Sequence, residues 1–443
     1  MFINDVRLVQ WRMSSTRARV TVIAGLIAAL LIVLQVAAVR AGFQGPLHSL
    51  ASDYVATPKS TTVPWVGLGV ALVGLSNRHR IYALAAAVAL DAAFAAERWL
   101  RAGVVAFGNG PVIVLTALTV LVCWRWDGIQ RATALKGIAF ATLFVLATKV
   151  GDAWLRLTPI IRPKVLDEYV LLADHALAQP SWLVGRALDW AGAAASGLLH
   201  WVYIELPVAA LIVALYQLRN VTTAGWPRHF LIRTFLLLGL VGPLIYVMFP
   251  VVGPIFAFGA AGQGFQAGDY WPHIIPSVDL TPSAIPFDRE TPRNCMPSMH
   301  TAWATAVFIH TRRAPHWLRW GGTFWLVGTL LATLGFGYHY GVDLVAGALL
   351  CLTVESILRQ PVRGAAWSQF RLAAVGSGVF TAVLLCCRYL PESMARYPVL
   401  FGPLLVAALA AFAVAFYVTF FPRSGTVETA GAFRPAEPAP AEP

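Results

Sequence analysis

The sequence predicts an all-α, polytopic transmembrane helical bundle of about twelve spans, because each span needs about 20 mostly apolar residues. Two observations lead to this fold class: an apolar composition and a regular series of apolar runs separated by basic connections. Of 443 residues, 58% are hydrophobic and 12% are charged, and the mean hydropathy is +0.67. Soluble proteins carry about 25% charged residues. The net charge of +12 does not indicate nucleic-acid binding, because Lys and Arg lie between apolar runs rather than on one face.

The candidate spans are defined by apolar runs along the whole chain. They lie at 21–39, 64–76, 82–97, 111–124, 137–152, 199–217, 234–250, 298–312, 322–338, 341–358, 371–388 and 399–421. The runs at 64–76, 82–97 and 298–312 are short and require tilt or local thinning of the bilayer. Basic residues precede the first run without a small-residue cleavage site, so we expect an uncleaved first span.

Alternate short connections are basic, and positive charge favours the cytoplasmic side of a membrane. These connections contain Arg78, Arg80, Arg125, Arg131, Lys136, Arg219, Arg228, Arg233, Arg312, Arg313, Arg319, Arg359, Arg363 and Arg371. The connections at 151–198 and 251–297 are long and mixed, and we expect them to be outer loops. The sequence thus predicts a multi-pass protein of the cell's inner or plasma membrane, with both termini cytoplasmic. The Pro-, Ala- and Glu-rich tail at 422–443 is predicted to be disordered.

Two polar stretches interrupt the apolar background. "RNCMPSMHTAW" contains Pro297, Ser298 and His300, and "GFGYHYGVDLVAG" contains His339 and Asp343. The two runs between them form a predicted hairpin with a basic turn, so both stretches reach the same membrane face. On a continuous helix His339 and Asp343 would be neighbours, and the carboxylate could hold one ring nitrogen while the other attacks. Either motif alone could be a helix-packing contact, but ionisable groups within spans cost about 2.5–3.5 kcal/mol and their convergence favours function.

The Pro-Ser-x-His and His-x-x-x-Asp patterns resemble the second and third motifs of the type 2 phosphatidic acid phosphatase superfamily. Within it, "HYGVDLVAG" and "GPLIYVMFPVVGP" are similar to the inositol phosphorylceramide synthase and sphingomyelin synthase branch. The resemblance covers residues 137–358 and implies a six-helix catalytic core there. It leaves a four-span accessory region at 1–136, a two-span region at 359–421 and the tail outside this core.

The resemblance also implies catalytic roles. His339 would attack phosphorus, Asp343 would orient it, and His300 would protonate the leaving oxygen, which gives a phosphohistidine-type intermediate. An imidazole nucleophile divides one displacement into two easier steps. A second histidine that titrates near neutral pH can act first as an acid and then as a base. Neither a cofactor nor a metal ion is implied.

The sequence departs from the superfamily pattern where a phosphate-binding arginine is usual. Ala332 and Thr333 occupy the positions of the Ser-Arg pair that opens the third motif, and Leu155 occupies the position of the first motif's lysine. Transfer of a phosphoryl group still requires positive charge. The substrate phosphate-binding candidates are Arg162, Lys164, Arg293 and Ser298. For the three cations, the alternative is a solvated loop charge or a contact with lipid headgroups.

The sequence therefore predicts a lipid phosphotransferase that moves a phosphate-bearing headgroup, of the inositol-phosphate type, from a phospholipid to a lipid hydroxyl. Membrane lipids are its expected donor and acceptor. The nearest alternative is a lipid phosphatase acting on phosphatidic acid or a polyprenyl (di)phosphate, which only the absent Ser-Arg argues against. A transporter would show internal repeats. A polyprenyl-phosphate-sugar glycosyltransferase would place several acids in the first outer loop, where Asp53 stands alone.

Overall fold

The computed structural model describes residues 2–259, 270–360 and 366–422. It is 76% helical, which confirms the predicted all-α class. Within the described residues, eight helices are long and apolar enough to cross a membrane, so the chain is an integral membrane protein. Each of the twelve predicted runs falls wholly or mainly on a helix, but the count of twelve spans stays a prediction. The predicted tail from residue 423 and the basic residue Arg363 lie outside the described residues.

The N-terminal part of the chain forms six helices. They are α1 (Phe2–Arg40), α2 (Pro46–Val55), α3 (Thr62–Leu72), α4 (Asn77–Leu100), α5 (Asn109–Arg125) and α6 (Gly128–Ile161). The middle of the chain continues with β1 (Lys164–Val165), α7 (Asp167–Asp174), α8 (Pro180–Ile204), α9 (Leu206–Leu218), α10 (Val221–Ala224), α11 (Leu231–Met248) and α12 (Pro254–Ala257). The last elements are β2 (Ile285–Pro286), α13 (Met299–Thr311), α14 (His316–Gly335), α15 (Gly341–Leu358), α16 (Ala366–Tyr389), α17 (Pro391–Arg396) and α18 (Pro398–Phe420). The two short strands pair in antiparallel fashion.

The connection at 151–198 is mostly helical, and the expectation of a long loop there was wrong. Helix α6 continues to Ile161, and α7 and α8 follow within the same stretch. The physical reason is local composition: Ala and Leu, which favour helix, dominate the segment from residue 182 to residue 199. Helix α8 bends at Gly192, whose φ of 79° suits a residue without a side chain. Its C-terminal half thereby reaches the first of the two polar motifs, where Tyr203 stacks on His300.

Apolar side chains form two cores. The first lies among α3, α4, α5 and α6 and includes Leu68, Leu118 and Ile138. The second is built by α7 to α9, α11 and α13 to α18, and it includes Trp182 and Leu349. Helix α6 packs against α3 and also against α11. The first part of α6 therefore belongs with the N-terminal helices, while its end reaches the second core.

The N-termini of α13 and α15 are joined closely, and this joint positions both polar motifs. Ser298 is the N-cap of α13, and its side chain accepts a hydrogen bond from the Thr301 N–H. The N–H of Ser298 donates to the carbonyl of Asp343, at 3.1 Å. Gly347 lies so close to this point that a Cβ there would overlap the carbonyl oxygen of Ser298. The two helices therefore begin side by side at one depth.

Candidate active site

The joint between α13 and α15 brings the two predicted histidines into one site. His300 is the second residue of α13, and His339 lies in the turn that precedes α15. The two imidazoles are close enough to interact electrostatically. The ring of Tyr203, from α8, stacks on His300 with 4.0 Å between centroids and lies 5.3 Å from the ring of Tyr338. Aromatic rings thus wall the site on the side of α8.

His339 and Asp343 are neighbours, although the expected continuous helix between them was wrong. Helix α15 begins at Gly341, and His339 is held instead by its N–H, which donates to the carbonyl of Thr333 at 3.2 Å. The Nδ1 atom of His339 lies 3.6 Å from Oδ2 of Asp343. This distance exceeds a normal hydrogen bond, and Nδ1 has no other hydrogen-bond partner among the described residues. A shift of about 0.6 Å would form the bond.

The carboxylate of Asp343 is held by two donors that the sequence did not single out. The thiol of Cys295 donates to Oδ2 at 2.7 Å, and the N–H of Tyr340 donates to the same oxygen at 2.8 Å. Cys295 lies in the same polar stretch as Ser298, and this proximity was the only signal for it in the sequence. The acid is therefore fixed towards His339 by groups on both sides of the joint.

Two further buried carboxylates from α7 surround the start of α15. Asp167 accepts hydrogen bonds from the hydroxyl of Tyr340 at 2.9 Å and from the N–H groups of Val252 and Gly253. Asp174 accepts from the N–H of Val342 at 2.9 Å. Burial raises the pKa of each of these acids to about 7, against the opposing effect of their hydrogen bonds. No motif marks them in the sequence.

Two of the predicted phosphate-binding cations, Arg293 and Arg162, lie next to each other, because the side chain of Arg293 donates to the backbone of Arg162. The guanidinium of Arg293 is fully buried and donates to the backbone carbonyls of Arg162, Thr291 and Asp288. These hydrogen bonds stabilise the loop that contains Arg293, and they engage three of the nitrogen atoms of its side chain. Arg162 is exposed, and only its Nε, among the described contacts, is bonded, to the carbonyl of Val247 at 2.6 Å. Phosphate binding by either residue stays a prediction.

The remaining candidates differ in exposure. Lys164 is exposed in β1. The side chain of Ser298 is buried and engaged with Thr301, which gives it a capping role. Ala332 and Thr333 are both buried, and the Thr333 hydroxyl donates to the carbonyl of Leu330 at 2.9 Å. Thr333 occupies the position where the superfamily usually has an arginine, and its backbone carbonyl accepts the hydrogen bond from the N–H of His339.

Three side chains at the joint are of the types that bind metal ions. One ligand-type atom from each of Cys295, His339 and Asp343 lies within 4.8 Å of the others. The thiol is engaged as a hydrogen-bond donor to the carboxylate. Asp53, in α2, is buried in an ion pair with Lys149 at 2.5 Å, so it has a structural partner within the helices.

Two histidines and a carboxylate gathered between apolar helices form a candidate site for nucleophilic chemistry. Residues 170–357, which contain all three, match the model of the PAP2 superfamily, and residues 18–157 match that of a domain of unknown function (DUF5933). No curated protein and no solved structure matches the chain. The segment 170–357 is thus similar to the PAP2 superfamily, and this similarity is consistent with an enzyme of the lipid phosphatase or phosphotransferase type.

Proposed function

We propose that the protein is a lipid phosphotransferase that moves a phosphate-bearing headgroup, of the inositol-phosphate type, from a phospholipid to the hydroxyl group of an acceptor lipid. The observation that carries this proposal is the meeting of His300, His339 and Asp343 at the joint of α13 and α15. The replacement of the usual Ser-Arg pair by Ala332 and Thr333 favours transfer over hydrolysis.

The first step is attack on the donor phosphodiester. Because Nδ1 of His339 faces Asp343, Nε2 is the nitrogen that attacks, forming a P–N bond while the P–O bond to diacylglycerol breaks. Protonated His300 gives its proton to the leaving oxygen. Asp343 stabilises the positive charge that develops on the imidazole of His339. A rotation that closes the 3.6 Å gap between the two side chains would strengthen this interaction.

The second step reverses these roles. Neutral His300 accepts the proton of the acceptor hydroxyl as its oxygen attacks phosphorus. The P–N bond breaks, His339 returns to its neutral form, and His300 is again protonated. Two displacements through one imidazole therefore conserve the phosphate-bearing group and leave the enzyme unchanged.

Two features support transfer rather than hydrolysis. A phosphatase binds a monoester with two negative charges, which suits an arginine fork, whereas a phosphodiester carries one charge. In this chain Arg293 is occupied by carbonyls and Thr333 is neutral. The rings of Tyr203 and Trp303 pack against His300, and such apolar walls exclude the water that would compete with a lipid hydroxyl.

The test follows a phospholipid labelled in its headgroup phosphate, with and without a hydroxylated acceptor lipid. We expect label in the acceptor lipid with the wild-type protein and none with His339→Ala. His273→Ala is the matched control, because His273 lies in the outer connection with a side chain 64% exposed, and it should behave as wild type. Label found only in inorganic phosphate or a water-soluble headgroup phosphate, whatever acceptor is offered, would favour the lipid phosphatase instead.

A further inference from the structure

A second cluster of ionisable side chains lies at the other end of α13. His310, in the last turn of that helix, is 2.8 Å from Oε1 of Glu355 through its Nε2. His229, in the connection before α11, is 3.1 Å from Oε2 of the same residue. The rise of an α-helix places His310 about 15 Å along α13 from His300. This cluster is therefore separate from the site at the joint.

Glu355 is fully buried and all its acceptor capacity is engaged. Besides the two histidines, the hydroxyl of Thr234 donates to Oε1 at 2.5 Å, and Nε of Arg359 pairs with Oε2. The other ring nitrogen of His310 is 2.7 Å from the amide nitrogen of Gln217. The carboxylate thus holds two imidazoles and a guanidinium in fixed positions.

These held side chains face a cavity of about 530 Å³. Its cationic and imidazole lining residues are Arg228, His229, Arg233, His310, Arg313 and Arg359. No acidic side chain lines it within the described residues. One buried carboxylate beside four arginines leaves an excess of positive charge around an open space, and such an excess attracts an anion.

We propose that this cavity binds a phosphate-bearing anion. Guanidinium groups pair with phosphate oxygens through two parallel hydrogen bonds, and four of them converge here. The Nδ1 atom of His229 is buried and lacks a hydrogen-bond partner among the described residues, and it can donate to an anion's oxygen when both ring nitrogens carry a proton. The preference of basic residues for the cytoplasmic face accounts for arginines near a membrane surface but not for their convergence on one cavity with two histidines.

A bound metal cation fits these residues less well. The ligand-type atoms of His229, His310 and Glu355 do lie within 4.8 Å of one another. However, Glu355 would have to release Arg359 and Thr234 to ligate a metal, and four neighbouring guanidinium groups would repel the ion. The charge balance therefore selects an anion.

The cavity also has an apolar wall. Phe420 and Phe421, at the end of α18, line it together with Ile309, and the guanidinium of Arg313 lies 4.8 Å from the ring centroid of Phe421. The same chemistry can come from a lipid headgroup, with acyl chains along this wall, or from a soluble phosphate. The experiment has to distinguish these two sources.

The test measures ligand-dependent thermal stabilisation of the purified full chain, carried in the His339→Ala background so that no substrate is consumed. One arm titrates inorganic phosphate and glycerol 3-phosphate in detergent. The other places the protein in nanodiscs of phosphatidylcholine with or without phosphatidic acid. The pocket variants are Arg233→Gln and Arg313→Gln. The matched control is Arg219→Gln, which changes a nearby basic residue that does not line the cavity.

We expect stabilisation by phosphate in at least one arm, weakened about tenfold in apparent affinity by each pocket variant, since one charge-assisted contact is worth about that factor. Arg219→Gln should leave it unchanged. Stabilisation in the detergent arm identifies a soluble phosphate, and stabilisation only with phosphatidic acid identifies a lipid headgroup. Equal affinities in pocket and control variants, or no stabilisation in either arm, would overturn the proposal. Arg233→Lys keeps the positive charge, so partial retention of affinity in this variant would show that the loss in Arg233→Gln does not come from a folding defect.

Discussion

The two ends of α13 carry the same kinds of side chain but bond them differently. At one end His339 lies beside one acid, Asp343, whose Oδ2 is 3.6 Å from its Nδ1, and His300 lies close to His339. At the other end His310 and His229 share Glu355, and both imidazoles lie within hydrogen-bonding distance of it. Four arginines line the cavity beside this second cluster.

This difference separates reactivity from binding. An imidazole that must attack phosphorus needs a free nitrogen and an acid that engages it only as charge develops. Both ring nitrogens of His310 are hydrogen-bonded, so it cannot attack without losing one of these bonds, but it can keep the side chains around a ligand in a fixed geometry. The comparison therefore favours chemistry at the end where Asp343 is not yet hydrogen-bonded to His339, and recognition at the end with the saturated Glu355.

The largest expected effect is on turnover. His339→Ala should reduce transfer activity by at least about 100-fold, because it removes the nucleophile of a unit that acts as a whole. His310→Ala, at the other end of the same helix, should leave turnover within the same order of magnitude. The measurement is the initial rate with the labelled phospholipid. More than a tenth of wild-type activity in His339→Ala would refute its role as nucleophile.

The second prediction concerns which end of α13 faces the outside. The basic connections predict that the joint of α13 and α15 lies on the non-cytoplasmic side. In a Cys123→Ser background, a membrane-impermeant thiol reagent should label Ser283→Cys in intact cells and Thr222→Cys only after the membrane is opened. Both positions are exposed and lie in opposite connections. The reverse pattern of labelling would place the chemistry in the cytoplasm.

The third prediction compares stability at the two ends through matched amides. Glu355→Gln leaves two imidazoles and the partly exposed Arg359 without their charged partner, and breaking a buried pair costs up to about 3–5 kcal/mol. Asp343→Asn keeps an acceptor for Cys295 and Tyr340 and should cost less, while it abolishes turnover. Unfolding midpoints in detergent measure both. Equal destabilisation by the two variants would contradict the distinction between the ends.

The smallest expected effect is a pH dependence near the joint. The pKa of Asp167 is raised from 3.8 to about 7 by burial. The folded protein thus holds a proton that the unfolded chain releases, and this stability, complete below about pH 4, is lost as pH rises towards 7. Between about pH 4 and pH 7, the unfolding midpoint of Asp167→Asn should fall by a few degrees less than that of the wild type. Asp279→Asn, an exposed control, should not. An unchanged slope in Asp167→Asn would contradict the raised pKa.

The features that depend on neighbouring residues in the sequence, the helices and the two short motifs, could be predicted from the sequence. The apolar runs identified the helices, and the fixed spacing in two short motifs identified His300, His339 and Asp343. The helical part of the 151–198 connection was misassigned, because mixed polarity hid a segment whose Ala and Leu content favours helix. Sequence polarity reports exposure to lipid or water, whereas helix formation also depends on the packing of α8 against α14.

Contacts between distant parts of the chain were outside the reach of sequence reasoning. His229 and Glu355 are 126 residues apart, and Tyr340 and Asp167 are 173 apart. Such pairs leave no periodicity or motif, because only the folded packing of α7, α11, α13 and α15 brings them together. The second cluster therefore had no counterpart among the predictions, although its individual arginines were noted as basic connections.

The close approach at Gly347 limits how this site can change over evolution. Any larger residue there would meet the backbone of Ser298 and push α13 away from α15, which would separate His300 from His339. A descendant enzyme cannot accept a bulkier headgroup by spreading these two helices, because the spread would dismantle its own catalytic pair. New substrate specificities must instead arise at the rim of the site, where α8 bends at Gly192 and places the ring of Tyr203 against His300.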